Sequence, residues 1–173
     1  SLLVGTRNPG KQREYQELLA DLSVQWIGPD DLDLGDYEPD ENAATFEENA
    51  RLKALGYAEF ANFPVLSDDS GLAVDALDGA PGVYSARYAG PGATDVDRYT
   101  KLLNALVGVP MEKRTARFVC VVALALPDGR VYTARGELEG YIGFEAYGAY
   151  GFGYDPVFLL ADGRHLAELP PAK

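Results

Sequence analysis

The spacing of apolar and polar positions cuts the chain into alternating strand-like and helix-like pieces. Leu2, Leu3 and Val4 predict a short strand, and residues 24–27 a second. Between them a helix is predicted over residues 12–20, with Tyr15, Leu18 and Leu19 on its apolar side. Thr45, followed three residues on by Glu48, is a capping-box signature that starts a helix running to about residue 60. Asn49 and Lys53 are four apart in it and share one face. Val65 and Leu66 close a short apolar run. Ser70 and Gly71 then predict a turn, after which Leu72, Val74 and Ala76 alternate as a strand does. Thr94, with Asp97 three residues later, caps another helix with Tyr99, Leu102, Leu103 and Leu106 as its buried stripe. Residues 117–126 read as a buried strand, 127–130 as a turn and 131–136 as the returning arm of an antiparallel hairpin. A hairpin beside strand–helix units predicts an α/β fold with a mixed, parallel and antiparallel, central sheet flanked by helices.

Composition narrows this picture. A length of 173 residues predicts a single domain over 1–173, or one domain with two lobes and a cleft between them. No apolar run approaches the roughly 20 residues of a spanning helix, and the first residues lack the basic lead-in of a signal peptide. Cys120 is the one cysteine, so no intrachain disulfide can form, which suits a reducing cytoplasm. It sits inside an apolar run, where a packed thiol is expected rather than a nucleophile. A net charge of −12 repels polyanions and argues against general nucleic-acid binding. A small anion remains compatible, because a few basic residues can converge on one site: Arg7, Lys11, Lys53, Arg87 and Lys173 lie in candidate segments.

Three segments carry candidate chemistry. Residues 67–90 open with adjacent acids, Asp68 and Asp69. Two neighbouring carboxylates repel, and a proton, a basic partner or a divalent cation must relieve them, although Asp, Ser and Gly are also ordinary turn residues. Residues 5–11 form a Gly-containing loop between a strand and a helix, an arrangement that presents N–H groups and a helix dipole to phosphate. Gly5, Gly10 and Lys11 approach the Walker A spacing, but Gln12 replaces the Ser or Thr that binds magnesium and Pro9 removes an N–H, so a P-loop is rejected. Residues 148–158, GAYGFGYDPVF, combine glycines that admit close approach with aromatics able to stack on a base. Asp155 precedes Pro156 and is expected to be extended. His165, the only histidine, has no partner pattern of a dyad or zinc site and reads as a surface residue.

These segments together resemble the inosine/xanthosine triphosphate pyrophosphatase family. The resemblance rests on Asp68-Asp69, Ser70-Gly71-Leu72, Gly79-Ala80-Pro81-Gly82 and Tyr84-Ser85-Ala86-Arg87 in order, on Thr6, Asn8 and Lys11 of a Thr-x-Asn-x-x-Lys opening, on Thr45, Phe46, Glu48, Asn49, Ala50, Lys53 and Ala54, and on residues 151–156. It implies that Thr6, Arg7, Asn8, Pro9, Gly10 and Lys11 wrap a triphosphate, and that Lys53 faces phosphate. Ser70, Arg87 and Lys173 join the substrate contacts, and Phe152, Gly153, Tyr154 and Asp155 meet the nucleoside. Glu41 and Asp69 are the implied metal ligands, with Glu38 and Asp40 as alternatives to Glu41. Asp69, with Asp68 beside it, is the catalytic candidate, as general base or as ligand. Family members continue past the lysine matched by Lys173 into a Ser-His-Arg segment and a closing helix that help to read the purine; the sequence stops at Lys173, so that part is expected to be missing.

The implied activity is Mg²⁺- or Mn²⁺-assisted hydrolysis of ITP, dITP or XTP to the monophosphate and pyrophosphate by a cytoplasmic homodimer, with no nucleic-acid or membrane partner. The alternatives are a related pyrophosphatase for modified pyrimidine or other triphosphates, and a nucleotide-binding sensor that does not hydrolyse.

Overall fold

The computed structural model describes residues 1–171. Nine regular elements follow in chain order: β1 (Leu2–Val4), α1 (Pro9–Leu18), β2 (Trp26–Ile27), α2 (Phe46–Ala58), β3 (Val65–Val74), α3 (Asp95–Ala105), β4 (Thr115–Ala125), β5 (Val131–Ile142) and β6 (Phe158–Leu159). The strands make one sheet in the order β2-β1-β3-β4-β5-β6. β1 is parallel to both β2 and β3, with Leu3 opposite Ile27 and Val65, whereas β5 and β6 are antiparallel. The mixed sheet expected from the sequence is therefore present.

The elements begin where local chemistry places them. Asn8 caps α1 by accepting from the N–H groups of Gly10 and Lys11, and Pro9 takes the first helical position, where its missing N–H costs nothing. The helix thus starts three residues before the predicted Gln12 and ends at Leu18. Thr45 accepts from Glu48 N–H at the start of α2. Thr94 and Asp97 form a reciprocal capping box on α3, whose Leu102 and Leu106 are buried.

One expectation fails. The predicted turn at Ser70 and Gly71 does not occur: β3 runs unbroken from Val65 to Val74 through both acids. β1 pairs with the start of β3 and β4 lies along its other side, and the acid side chains find partners in lysine and asparagine, so nothing forces a break.

The chain divides into two compact units, residues 1–69 with 120–136 and residues 70–119 with those from 137 on, so β3, β4 and β5 each contribute to both. Buried Leu3, Ala50, Ala54, Tyr57, Val65 and Val121 lie in the first unit. Leu72, Val74, Leu102, Leu106, Ile142 and Phe158 belong to one apolar cluster in the second, with Phe118 stacked against Phe158 at 4.5 Å. Along β4 the buried positions are Ala116 and then Val119, Val121, Ala123 and Ala125, a change of parity at Phe118 where the strand passes from one unit to the other.

Arg114 braces the second unit. It is 3% exposed, and its guanidinium donates to the carbonyls of Val109, Leu106 and Gly143 at 2.8, 2.7 and 2.8 Å while stacking on Phe144. It thereby ties the C-terminal end of α3 to the end of β5, and burial draws its pKa down. Arg114→Ala leaves three buried carbonyls without these donors. We expect a loss of stability on the order of 3–5 kcal/mol, read from urea unfolding, with Arg114→Lys recovering only part of it because an ammonium lacks the guanidinium fork.

Candidate active site

The first unit gathers basic and acidic side chains around the start of β3. Asp68 and Asp69 are 1% and 7% exposed. Their strand is central in the sheet, so both carboxylates leave water and need compensation from nearby groups. Lys11, from the first turn of α1, donates through Nζ to Asp68 Oδ2 at 2.8 Å. Lys53, from the third turn of α2, donates to the Asp68 carbonyl at 2.9 Å and pairs with Glu41. Asn49, one turn earlier on the same helix face, donates through Nδ2 to Asp69 Oδ2 at 3.0 Å. The predicted Asn49–Lys53 face thus delivers both side chains to the two acids.

The electrostatics of this cluster are set first by desolvation. Burial raises the Asp69 pKa above the ordinary carboxylate range, and Asp68 adds to that, against the lowering effects of Asn49, Lys53 and Lys11. Burial and the neighbouring Lys11 lower the Lys53 pKa despite Asp68, Asp69 and Glu38. Burial, then Asp68, also raises the carboxyl of Glu14, one turn beyond Lys11. The adjacent acids and the two lysines thus set the proton affinities of Asp69 and Lys53 together with burial.

The loop before α1 differs from its sequence-based picture. Thr6 Oγ1 accepts from Asn8 N–H at 3.1 Å, Asn8 Oδ1 takes the N–H groups of Gly10 and Lys11, and Gln12 Nε2 donates to the Thr6 carbonyl at 2.7 Å. The N–H groups of Asn8, Gly10 and Lys11 thus meet side-chain oxygens of the loop itself, and Gln12, the residue that broke the Walker A pattern, is the loop's internal tie. Only Lys11 among residues 6–11 places a side-chain cation against the acids of β3. Arg7 turns to the acidic stretch instead, donating to Asp30 at 2.7 Å and to the carbonyls of Gly35 and Tyr37, with Glu38 at 3.6 Å. Around Glu41, Glu38 lies 3.6 Å from Arg7 and also acts on Lys53, whereas Glu41 pairs with Lys53 directly.

The second unit holds the glycine-aromatic segment. Asp155 Oδ2 accepts from Phe152 N–H at 3.1 Å, and a Cβ on Gly151, whose φ is +74°, would meet that oxygen at 2.1 Å. Gly151 is therefore required by the turn it opens. Asp155 begins a short 3₁₀ turn over Asp155–Val157 rather than the extended backbone expected before Pro156, because Val157 N–H closes onto the Tyr154 carbonyl. Tyr154 is buried and donates its hydroxyl to the Ser85 carbonyl at 2.7 Å, so its phenol is a fastener. Phe152 is exposed.

Ser85 accepts from Leu72 N–H on β3 and donates to the Gly82 carbonyl. Arg87 is exposed, with its guanidinium over the Tyr84 ring at 5.1 Å, and Ser70 is half-buried on β3. Lys173 lies outside the described residues. His165 is partly buried rather than on the surface: Nε2 lies 3.2 Å from the Glu145 carbonyl and Nδ1 3.5 Å from Glu168. Asp95 and Arg98 at the start of α3, which the sequence pattern marks only as helix surface, contact the 153 and 86 positions; their one sequence signal is the acid and base three apart in a first helical turn.

Comparison with known proteins gives a uniform result. The Ham1 family pattern matches residues 2–173. The dITP/XTP pyrophosphatase of Exiguobacterium sibiricum is 52% identical over 159 residues, covering 92% of this chain and 80% of that protein. The protein of the same name from Geobacter sulfurreducens is 49% identical over 171 residues, covering 98% and 85%. Among solved structures, a HAM1 protein from Coxiella burnetii superposes with a TM-score of 0.88 at 41% identity, covering 98% of this chain and 87% of that one. The Ham1 protein of Staphylococcus aureus gives 0.87 at 38% identity, with 98% and 86% covered. With the sequence motifs, the strand order and near-complete coverage all in agreement, this chain belongs to the Ham1 family.

Proposed function

We infer that the chain hydrolyses non-standard purine nucleoside triphosphates such as dITP and XTP, releasing the nucleoside monophosphate and pyrophosphate. The observation that carries this reading is the convergence of Lys11 and Lys53 on the Asp68–Asp69 pair, in a chain nearly half or more identical to proteins named dITP/XTP pyrophosphatase. Phosphoryl transfer asks mainly for positioning and for neutralisation of charge, and a junction of two ammonium groups and two carboxylates supplies both.

The roles follow from donors and charges. An ammonium carries three N–H donors, and Lys11 commits one to Asp68, so it can hold Asp68 and a phosphate oxygen together. Lys53, from α2, commits donors to the Asp68 carbonyl and to Glu41, which leaves one for a phosphate oxygen. Asp69 is the candidate base: its raised pKa makes it a better proton acceptor than a solvated carboxylate, and the bond from Asn49 fixes its orientation. Arg7 enters only through its hold on the acidic stretch that carries Glu41. The 152–155 segment is the inferred nucleoside contact, and Phe152 is its exposed aromatic.

A divalent cation fits these residues in kind. Among the described residues no group of three or more His, Cys, Asp or Glu is placed to hold a metal. Mg²⁺ needs no such cage, since it binds through one or two carboxylates and keeps water and substrate phosphates as its other ligands. Glu41 is the oxygen donor we assign to Mg²⁺ or Mn²⁺, and Asp69 is the second donor in the alternative in which it acts as ligand instead of base. When bound, the cation would offset phosphate charge and acidify water. The family resemblance supports a homodimer, and the lone cysteine supports a reducing compartment such as the cytoplasm. No helix among the described residues is long and apolar enough to cross a membrane.

A panel of dITP, XTP, GTP, dUTP and methylated UTP, scored by pyrophosphate release, is expected to give the highest kcat/KM with the first two. A pyrimidine preference, or binding of dITP without release, would overturn the assignment. Asp69→Asn is expected to lower kcat by about 10²–10⁴-fold while nucleotide still binds. The acidic limb of the wild-type kcat/KM profile should fall above the ordinary carboxylate range. The same variant tests the cost of the buried charge. Because the folded pKa is raised, folding holds the Asp69 proton more tightly than the unfolded chain does; the stability this gives is full below the ordinary carboxylate range and is lost as pH rises through the folded value. At pH 7 Asp69→Asn should therefore melt no lower than wild type, and a large drop in Tm would show that the ionised form is structurally required. Lys11→Ala should weaken triphosphate binding by about 1.5–3 kcal/mol, and an unchanged Kd in calorimetry would move the phosphate elsewhere.

A further inference from the structure

One ion pair at the start of α3 fastens two of the candidate substrate segments to each other. Asp95 is the first residue of α3 and Arg98 the fourth. Asp95 Oδ2 accepts from the backbone N–H of Gly153 at 3.0 Å, in the middle of the Phe152–Asp155 segment. Asp95 Oδ1 takes Arg98 Nη2 at 2.7 Å. Arg98 Nη1 then donates to the carbonyls of Ala86 at 3.2 Å and Ala93 at 2.9 Å. Ala86 immediately precedes Arg87. A path of charge-assisted bonds thus runs from Gly153 through Asp95 and Arg98 to the Tyr84–Arg87 segment. A second tie, Tyr154 hydroxyl to the Ser85 carbonyl, joins the same two segments one residue away on each side.

Geometry makes this more than surface decoration. Gly153 has φ +62°, a backbone that few other residues hold, and its N–H is aimed at a helix side chain rather than into its own turn. Arg98 is the better half of the pair for the task, because a planar guanidinium can serve a carboxylate and two carbonyls at once, which an ammonium on a flexible stem does poorly. The carboxyl of Asp95 is held below its ordinary range: partial burial opposes this, and the Arg98 and Gly153 bonds outweigh it.

We propose that Asp95 and Arg98 are positioning residues for nucleoside recognition: they set the backbone of residues 152–155 in register with Tyr84–Arg87, so that a purine nucleoside meets a preformed surface. They touch no substrate in this scheme. The scheme rests on the reading of residues 152–155 as the nucleoside contact. Preorganisation of that kind lowers the ordering cost of binding and leaves the phosphate side chains of the first unit untouched.

The test compares ligands with and without a nucleoside. In Asp95→Ala, KM for dITP should rise about tenfold or more while kcat changes less than threefold, the scale of one lost charge-assisted bond. The Kd for IMP should rise in parallel, and inhibition by inorganic triphosphate should stay within twofold of wild type. Arg98→Ala should match it, the double variant should be no worse than either single one, and Asp95→Asn, which keeps an acceptor for Gly153, should recover most of the loss. Equal weakening of IMP and inorganic triphosphate, additive single effects, or an unchanged KM would each overturn the proposal. Wild-type turnover of dITP, with variants that match it in KM and in the Kd for IMP, would sink the positioning role alone. Wild-type protein with no dITP turnover and no IMP binding would sink the underlying activity first.

Discussion

Two neighbouring carboxylates in the middle of a sheet are the constraint to which the first unit answers. Asp68 and Asp69 come from a central strand, where water cannot solvate them and where β3 has no turn to carry them outward. Their mutual repulsion and desolvation would be prohibitive without cations and donors. Two helices supply these. α1 brings Lys11 from its first turn, α2 brings Asn49 and Lys53 from one face, and the acidic stretch closes on Lys53 through Glu41. Removing any one partner leaves a buried charge uncompensated, so the positions of α1 and α2 against β3 are specified by electrostatics as well as by apolar packing.

Compensation is deliberately incomplete at one point. The Asp69 pKa remains raised and that of Lys53 lowered, both chiefly by burial. A fold selected for stability alone would place neutral groups there. Groups poised away from their solution protonation are what proton transfer next to a phosphate requires, and such groups concentrate where chemistry is done.

Much of this was legible in the residues. The adjacent acids, the lysine after a capped loop and the Asn49–Lys53 spacing identify the participants, and the structure brings those participants together. Local propensity misled at Ser70 and Gly71, where β3 continues as a strand beside β4, and at Asp155, where Val157 N–H closes a 3₁₀ turn onto the Tyr154 carbonyl. The parts that could not be read were those that depend on which long side chain reaches where. No local pattern names the partners of the Arg7 guanidinium, which are Asp30 and the carbonyls of Gly35 and Tyr37. Asp95 and Arg98 look like an ordinary helical ion pair, and only tertiary placement connects them to Gly153 and Ala86.

The loop before α1 has a further consequence. Thr6 and Asn8 take up the N–H groups of Asn8, Gly10 and Lys11, so positive charge beside the acids of β3 is carried by ammonium side chains and not by those amides. An amide is indifferent to pH, but Lys53 is held closer to losing its proton than a lysine in water. A polyanion docking beside Lys53 would restore its hold on that proton, so ligand uptake and proton uptake become a single coupled equilibrium.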